Sequence, residues 1–256
     1  MHSDYLDVTV DGQIARLTMN RPHKRNAMCD GLLDAIAAFY MTPPDGVRVV
    51  ILSGEGGHYC SGLDLSEHVS RDAEGTMMHS RNWHGVMQKI QFGGLITISV
   101  MNGAVIGGGL ELASATHVRI AEPSTIFQLP EGRRGIFVGG GASVQIGRIL
   151  GPDRMVEMML TGRKYGADEG QALGLAHYSV AEGEGMALAD KLAAKIAANA
   201  PLSNYIMVQA LTRIADMSRT DGLFAESLCA ALAQTTSDAE EGLKAFLEKR
   251  APVFKD

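Results

Sequence analysis

"NGAVIGGGLELA", Asn102 to Ala113, sets three consecutive glycines directly against a segment with helical character. Glycine inside a helix costs about 1 kcal/mol relative to alanine. It is tolerated where backbone must come close to another group. Here Gly107, Gly108 and Gly109 lead into Leu110-Glu111-Leu112-Ala113, so a helix begins on bare backbone with a carboxylate in its first turn. The apolar run upstream, "LITISV" at Leu95–Val100, reads as a strand buried on both faces. The stretch is therefore a strand-to-helix junction of an α/β fold. Such a junction can cradle phosphate, donate amides to an oxyanion, or be a packing turn. Dinucleotide binding needs GxGxxG after an early strand with an acid about 20 residues on. GGGxE in mid-chain does not fit that pattern, and no GxxxxGK[ST] occurs. An oxyanion hole and a packing turn remain.

An oxyanion hole calls for a second donor. "CSGLDL", Cys60–Leu65, follows the buried-strand run "VRVVILSG", Val47–Gly54, and is a second tight glycine turn after a strand. A second carboxylate, Glu131, stands in "FQLPEGRRG", twenty residues past Glu111. Two carboxylates beside an oxyanion hole suit proton transfer at a carbon next to a carbonyl, with one acid held neutral by burial while the other stays ionised.

The rest of the chain frames these motifs. Tyr5–Val10 and Ile14–Met19 read as a hairpin turned at Asp11-Gly12. Helices are expected at about 30–40 and 74–91, with short strands in "HVRIAE" and "TIFQL". The last third reads as mostly helical, ending in a helix capped at Ser237-Asp238 and running to about Lys249. The 256 residues are 46% hydrophobic, enough for a sizeable core. A net charge of −6 argues against a nucleic-acid partner. Cys29, Cys60 and Cys229 form no CxxC pair, and the histidines lack metal-ligand spacing, so no metal site is expected. An acidic N-terminus without an apolar h-region and the lack of a transmembrane-length apolar run point to a cytoplasmic protein.

In order along the chain, "NRPHKRNAM", "CSGLDL", "NGAVIGGGLELA", "LPEGRRG" and "FLEKRAPVFK" resemble the crotonase superfamily, with enoyl-CoA hydratase the nearest functional class. The likeness covers Tyr5 to Lys255. It implies an α/β fold, a ClpP-like spiral of ββα units over residues 1–195, with a helical trimerisation region at 196–256. A homotrimer or a dimer of trimers is expected, acting on an acyl-CoA thioester without further cofactor. The resemblance gives the Leu63 and Gly108 amides the thioester oxygen, supported by Gly107 and Gly109. It makes Glu111 the group that activates water and Glu131 the proton donor, with Gly139 supporting Glu131. Ser61, Gly62, Asp64 and Leu65 would cradle CoA opposite Lys24, Arg25 and Ala27, and Lys249 would reach its phosphates. Double-bond isomerisation, a hydratase-lyase reaction, or CoA-thioester binding without turnover are the alternatives.

Several positions depart from the hydratase pattern. Gln128 and Leu129 stand where "FGQPE" has Gly and Gln, "GRRG" replaces an apolar "ILLG", Val138 replaces a proline, and Ser66 replaces a lysine. All lie around the acyl pocket and the CoA rim. Arg133 and Arg134 read as solvated charges or subunit contacts. Trp83 with Met77, Met78 and Met87 stands either in the core or along the acyl tunnel, whose shape is set by residues from about His68 to Met87.

Overall fold

The structure, a computed structural model, describes residues 3–66 and 70–254. His68 and Lys255, which bound two of the expectations above, lie outside the described residues. The chain opens with β1 (Leu6–Asp11), β2 (Ile14–Met19), α1 (Asp30–Met41) and β3 (Val49–Gly54). It continues with α2 (Ala73–Phe92), β4 (Ile96–Met101), β5 (Ala104–Ile106) and α3 (Gly108–Ser114). Then come β6 (Val118–Ala121), β7 (Ile126–Gln128), α4 (Ala142–Leu150) and α5 (Pro152–Thr161). The remainder is β8 (Tyr165–Gly166), α6 (Ala167–Ala172), β9 (Tyr178–Ser179), α7 (Gly185–Ala197), α8 (Pro201–Ile214), α9 (Arg219–Gln234) and α10 (Ser237–Leu247).

Two sheets organise these elements. The larger has strand order β1-β2-β3-β4-β6-β9 and is parallel apart from the β1–β2 hairpin. Gly12 takes φ +56° at that hairpin turn, which explains the Asp-Gly pair. The smaller sheet is β5-β7-β8. The sequence repeats strand, strand, helix: β4–β5–α3, then β6–β7 followed by a 3-10 turn at Glu131–Arg134 and α4. This is the recurring ββα unit. β5, β8 and β9, at three, two and two residues, are too short to carry a periodic signal and escape a reading of the sequence.

Each face of the large sheet has its own core. On β3, Val50 and Leu52 pack into a cluster with α1 and α2, including Leu33, Ile36, Val86 and Ile90. The intervening Val49 and Ile51 join Ile98 and Ile120 against Ala189, Ala193 and Ala197 of α7. That alternation is the period of two expected of a strand covered on both faces, and it is why "VRVVILSG" is apolar without a break. The final helix starts one residue earlier than its sequence suggests: Thr236, not Ser237, is the N-cap, its hydroxyl accepting from the Ala239 amide at 3.1 Å.

Glycine has opposite meanings at two places in this fold. A Cβ on Gly109 would overlap the Cys60 carbonyl oxygen, which is backbone and cannot swing aside. Gly85, inside α2, has open space where a Cβ would go. Gly109→Ala is expected to destabilise the protein by about 1–3 kcal/mol or more, whereas Gly85→Ala stabilises it by about 0.4–1 kcal/mol. Urea unfolding midpoints of the two variants test this; equal shifts would contradict it.

Candidate active site

Three parallel segments leave the small sheet at the same end. Cys60 bridges Val105 in parallel, and Val105 pairs with Phe127 on β7. The chain beyond each runs to Leu63, to Gly108 and to Glu131. Hydrogen bonds fix the register: Cys60 N–H donates to Ala104 O at 2.8 Å, Ile106 N–H to Cys60 O at 3.1 Å, and Gly107 N–H to Gln128 O at 2.9 Å.

The amides of Leu63 and Gly108 come together there. Met28 N–H donates to Gly62 O and Asp64 N–H to Met28 O, so the intervening Leu63 N–H turns to the opposite side. It lies 3.5 Å from where a Gly108 Cβ would stand. Gly108 is the first residue of α3, so its amide has no carbonyl partner within the helix. Each glycine of the triplet makes room for a different neighbour. A Cβ on Gly107, at φ +53°, would come 2.9 Å from Glu131 Oε1. One on Gly108 would come 2.8 Å from the Trp83 ring, and one on Gly109 would strike Cys60. The triplet is thus close-packed as well as amide-bearing, and Gly109 belongs to the packing alone.

Glu111 and Glu131 line one cavity of about 200 Å³ together with Leu63 and Gly108. Glu111 is 5% exposed; its Oε1 accepts from the amides of Gly140 (2.8 Å) and Ala142 (3.1 Å). Burial raises its pKa and these amides oppose the shift. Glu131 is 7% exposed, and its Oε2 has no hydrogen-bond partner. Burial pushes its pKa up to about 7; the Glu111 charge adds to this, while Arg134 and its own amide oppose it. Burial thus favours the protonated form at both carboxyls; Glu111 is held in place by two backbone amides, while Glu131 keeps one oxygen unpartnered. The amides just after Gly139, the residue expected to support Glu131, thus serve Glu111. The Gly139 carbonyl itself accepts from Ser80 at 2.6 Å.

The expected CoA rim is partly brought together. Ser61 N–H donates to Arg25 O at 3.0 Å, and Lys24 Nζ reaches Ser66 Oγ at 2.5 Å. The 24–27 and 61–65 segments thus lie side by side, with Arg25 and Asn26 both at positive φ. Asp64 is not presented to a ligand. It is 5% exposed and paired to Arg21 at 3.0 Å. Burial works against its charge, but Ser66 and Arg21 outweigh it and hold the carboxyl well below its usual range. Arg21, equally buried, also donates to Ala27 O at 2.6 Å, tying the two segments together. Nothing in the sequence singled out this arginine, which sits only four residues before the expected Arg25. Ala27 is buried, and Lys249 is exposed beyond α10, away from the cavity lining of its own chain.

Trp83 and His79 line the cavity, whereas Met77 and Met78 are more than half exposed and Met87 is buried in the core. His58 and His117 are packing residues: each accepts a backbone amide through Nδ1, from Ala104 and Thr97. No helix among the described residues is long and apolar enough to cross a membrane.

Residues 9–256 match the family described as enoyl-CoA hydratase/isomerase. A Bos taurus protein named enoyl-CoA hydratase domain-containing protein 2, mitochondrial, is 36% identical, covering 94% of this chain and 84% of its own. A Rhodopseudomonas palustris structure described provisionally as an enoyl-CoA hydratase superposes with TM-score 0.94 at 46% identity, covering 96% of this chain and 95% of that one. An enoyl-CoA hydratase structure from Bacillus anthracis gives TM-score 0.92 at 29% identity, covering 98% and 99%.

The raised pKa of Glu131 has a cost. Between its ordinary value of 4.5 and about 7 the folded chain holds this proton more tightly than the unfolded chain does. Folding stability must therefore fall as pH rises through that window. Glu131→Gln removes this residue's share of the fall: it is expected to gain about 1–3 kcal/mol at pH 8 relative to its difference from wild type at pH 4.5. Denaturant unfolding at both pH values checks this; a pH-independent difference would contradict it.

Proposed function

Because the chain belongs to the enoyl-CoA hydratase/isomerase family, we propose that it adds water across the 2,3 double bond of a 2-enoyl-CoA thioester. The observation that carries the reading is the pair of buried carboxylates sharing one cavity with two backbone amides that have no hydrogen-bond partner among the described residues. The Leu63 and Gly108 amides polarise the thioester carbonyl and stabilise the enolate as charge moves onto its oxygen. Glu111, held by the 140 and 142 amides, orients a water and takes its proton as oxygen adds to C3. Glu131 delivers a proton to C2. A site with one carboxyl protonated and one ionised suits this sequence, and the mutual repulsion of the pair favours that state. Hydration is redox-neutral, so the reaction calls for no cofactor beyond the CoA carried by the substrate.

The 24–27 and 61–65 segments form the CoA rim in this reading, with Lys249 reaching the CoA phosphates from a neighbouring subunit. Residues 1–195 form the spiral core and 196–256 the oligomerisation region of a trimer or a dimer of trimers. Leu223, Phe224, Leu228 and Leu232 of α9 are each more than half exposed, which supports burial against another copy. The cysteines are free thiols, Cys29 and Cys60 buried, which supports a reducing compartment such as the cytoplasm. Isomerisation can proceed with one carboxylate; the presence of two supports hydration.

Loss of the conjugated enoyl-thioester absorbance of crotonyl-CoA tests the reading. Wild type is expected to consume it, and Glu111→Gln and Glu131→Gln each to lower kcat by about 10²–10⁴-fold. Activity in either variant within threefold of wild type would overturn the two-carboxylate mechanism. Wild type that binds crotonyl-CoA without consuming it would overturn simple short-chain hydration and point to another acyl group or another enolate reaction.

A further inference from the structure

Arg133 and Arg134 are adjacent in a 3-10 turn, yet the fold gives them different surroundings. Arg133 turns back against α5: its Nη2 donates to Thr161 O at 2.5 Å, and its guanidinium fills the space beside Gly162. Arg134 lines the cavity that holds Glu111 and Glu131. Among the described residues its guanidinium makes no ion pair or hydrogen bond. It is close enough to Glu131 to oppose that residue's pKa rise, but it does not bond the carboxylate, whose Oε2 stays unpartnered. The cavity thus carries one cation not consumed by either glutamate.

The walls around it indicate what that cation meets. Leu65, Ile136, Phe137 and Val138 give an apolar flank suited to methylenes. A plain hydrocarbon tail lying along this flank would leave the exposed guanidinium's donors to solvent and gain nothing from them. A tail ending in a carboxylate would cover the apolar flank and close on the fork of N–H donors, which matches a carboxylate in two parallel bonds. We propose that Arg134 makes this site selective for enoyl-CoA thioesters whose acyl chain ends in a carboxylate. The inference deepens the hydratase reading and rests on it for the identity of the thioester, but not on turnover.

Binding therefore tests it separately from catalysis. Calorimetry would compare saturated acyl-CoAs of four to eight carbons with their ω-carboxylated counterparts of the same length, on wild type, Arg134→Leu and Arg134→Lys. At the best-fitting length, wild type is expected to favour the ω-carboxylate. Arg134→Leu is expected to reduce that preference by about 10–100-fold, the worth of a hydrogen bond between charged groups. Arg134→Lys, which keeps the charge without the fork, should fall between the two. A carboxylate-to-neutral affinity ratio unchanged by Arg134→Leu, or a wild type that favours the neutral series at every length, overturns the proposal. If neither series binds wild type, the CoA-thioester reading fails and this proposal with it, whereas binding without crotonyl-CoA hydration removes only the reaction.

Discussion

The parallel row that joins Cys60 to Val105 and Val105 to Phe127 is the constraint on which the site depends. Parallel strands all leave a sheet in one direction, so whatever follows them is collected at a single end. Three loops that are remote in sequence are delivered there: 61–63, 107–108 and 129–131. A slip of one residue in the short β5–β7 pairing would move Gly107 off Gln128 and carry Glu131 away from the triplet. The strands are too short to hold that register by themselves. They are held by a buried row in which Phe127 also pairs with Tyr165 and packs beneath Gly170.

Around that row, charge is managed in two ways. Asp64 and Arg21 are buried together, so the ion pair that ties the 24–27 and 61–65 segments carries no unpaired charge. Breaking such a pair leaves a lone buried charge, which is far more costly than the pair is favourable. Glu131 is treated oppositely. It is buried with one oxygen unpartnered and a second carboxylate nearby, and its environment keeps its proton near neutral pH. An arrangement that costs stability and brings no packing gain is what a proton donor needs. The glycines reconcile the two demands. They admit the Trp83 ring, the Glu131 carboxylate and the Cys60 carbonyl to places where a Cβ would collide with them.

Much of this was legible in the sequence because it rests on local signals. The triplet beside Glu111, the apolar strands β3 and β4, and the Asp-Gly hairpin each announce themselves through glycine, periodicity or turn chemistry. The pairing of Glu111 with Glu131 was raised by a second carboxylate on a loop after a strand, twenty residues on, and was given roles by the ordered set of motifs; β5, three residues long, has no pattern of its own. What stayed hidden depends on side-chain direction. Arg21 and Arg25 look alike in "NRPHKRNAM", and only the fold turns one inward onto Asp64. Likewise "GRRG" does not reveal that Arg133 docks on α5 while Arg134 faces the cavity. Gly139 was read as supporting Glu131, whereas the adjacent Gly140 and Ala142 amides bond Glu111, because two carboxylates twenty residues apart share one cavity.

The central claim is that the Leu63 and Gly108 amides polarise a thioester carbonyl. Isotope-edited infrared or Raman spectroscopy tests it on the bound ligand, using a 2-enoyl-CoA labelled with ¹³C at the thioester carbonyl and the Glu131→Gln variant to prevent turnover. The account predicts that the carbonyl stretch moves to lower frequency on binding, as two donors draw electron density toward oxygen. A carbonyl frequency unchanged from that of the free thioester, with the ligand shown to be bound, would contradict it.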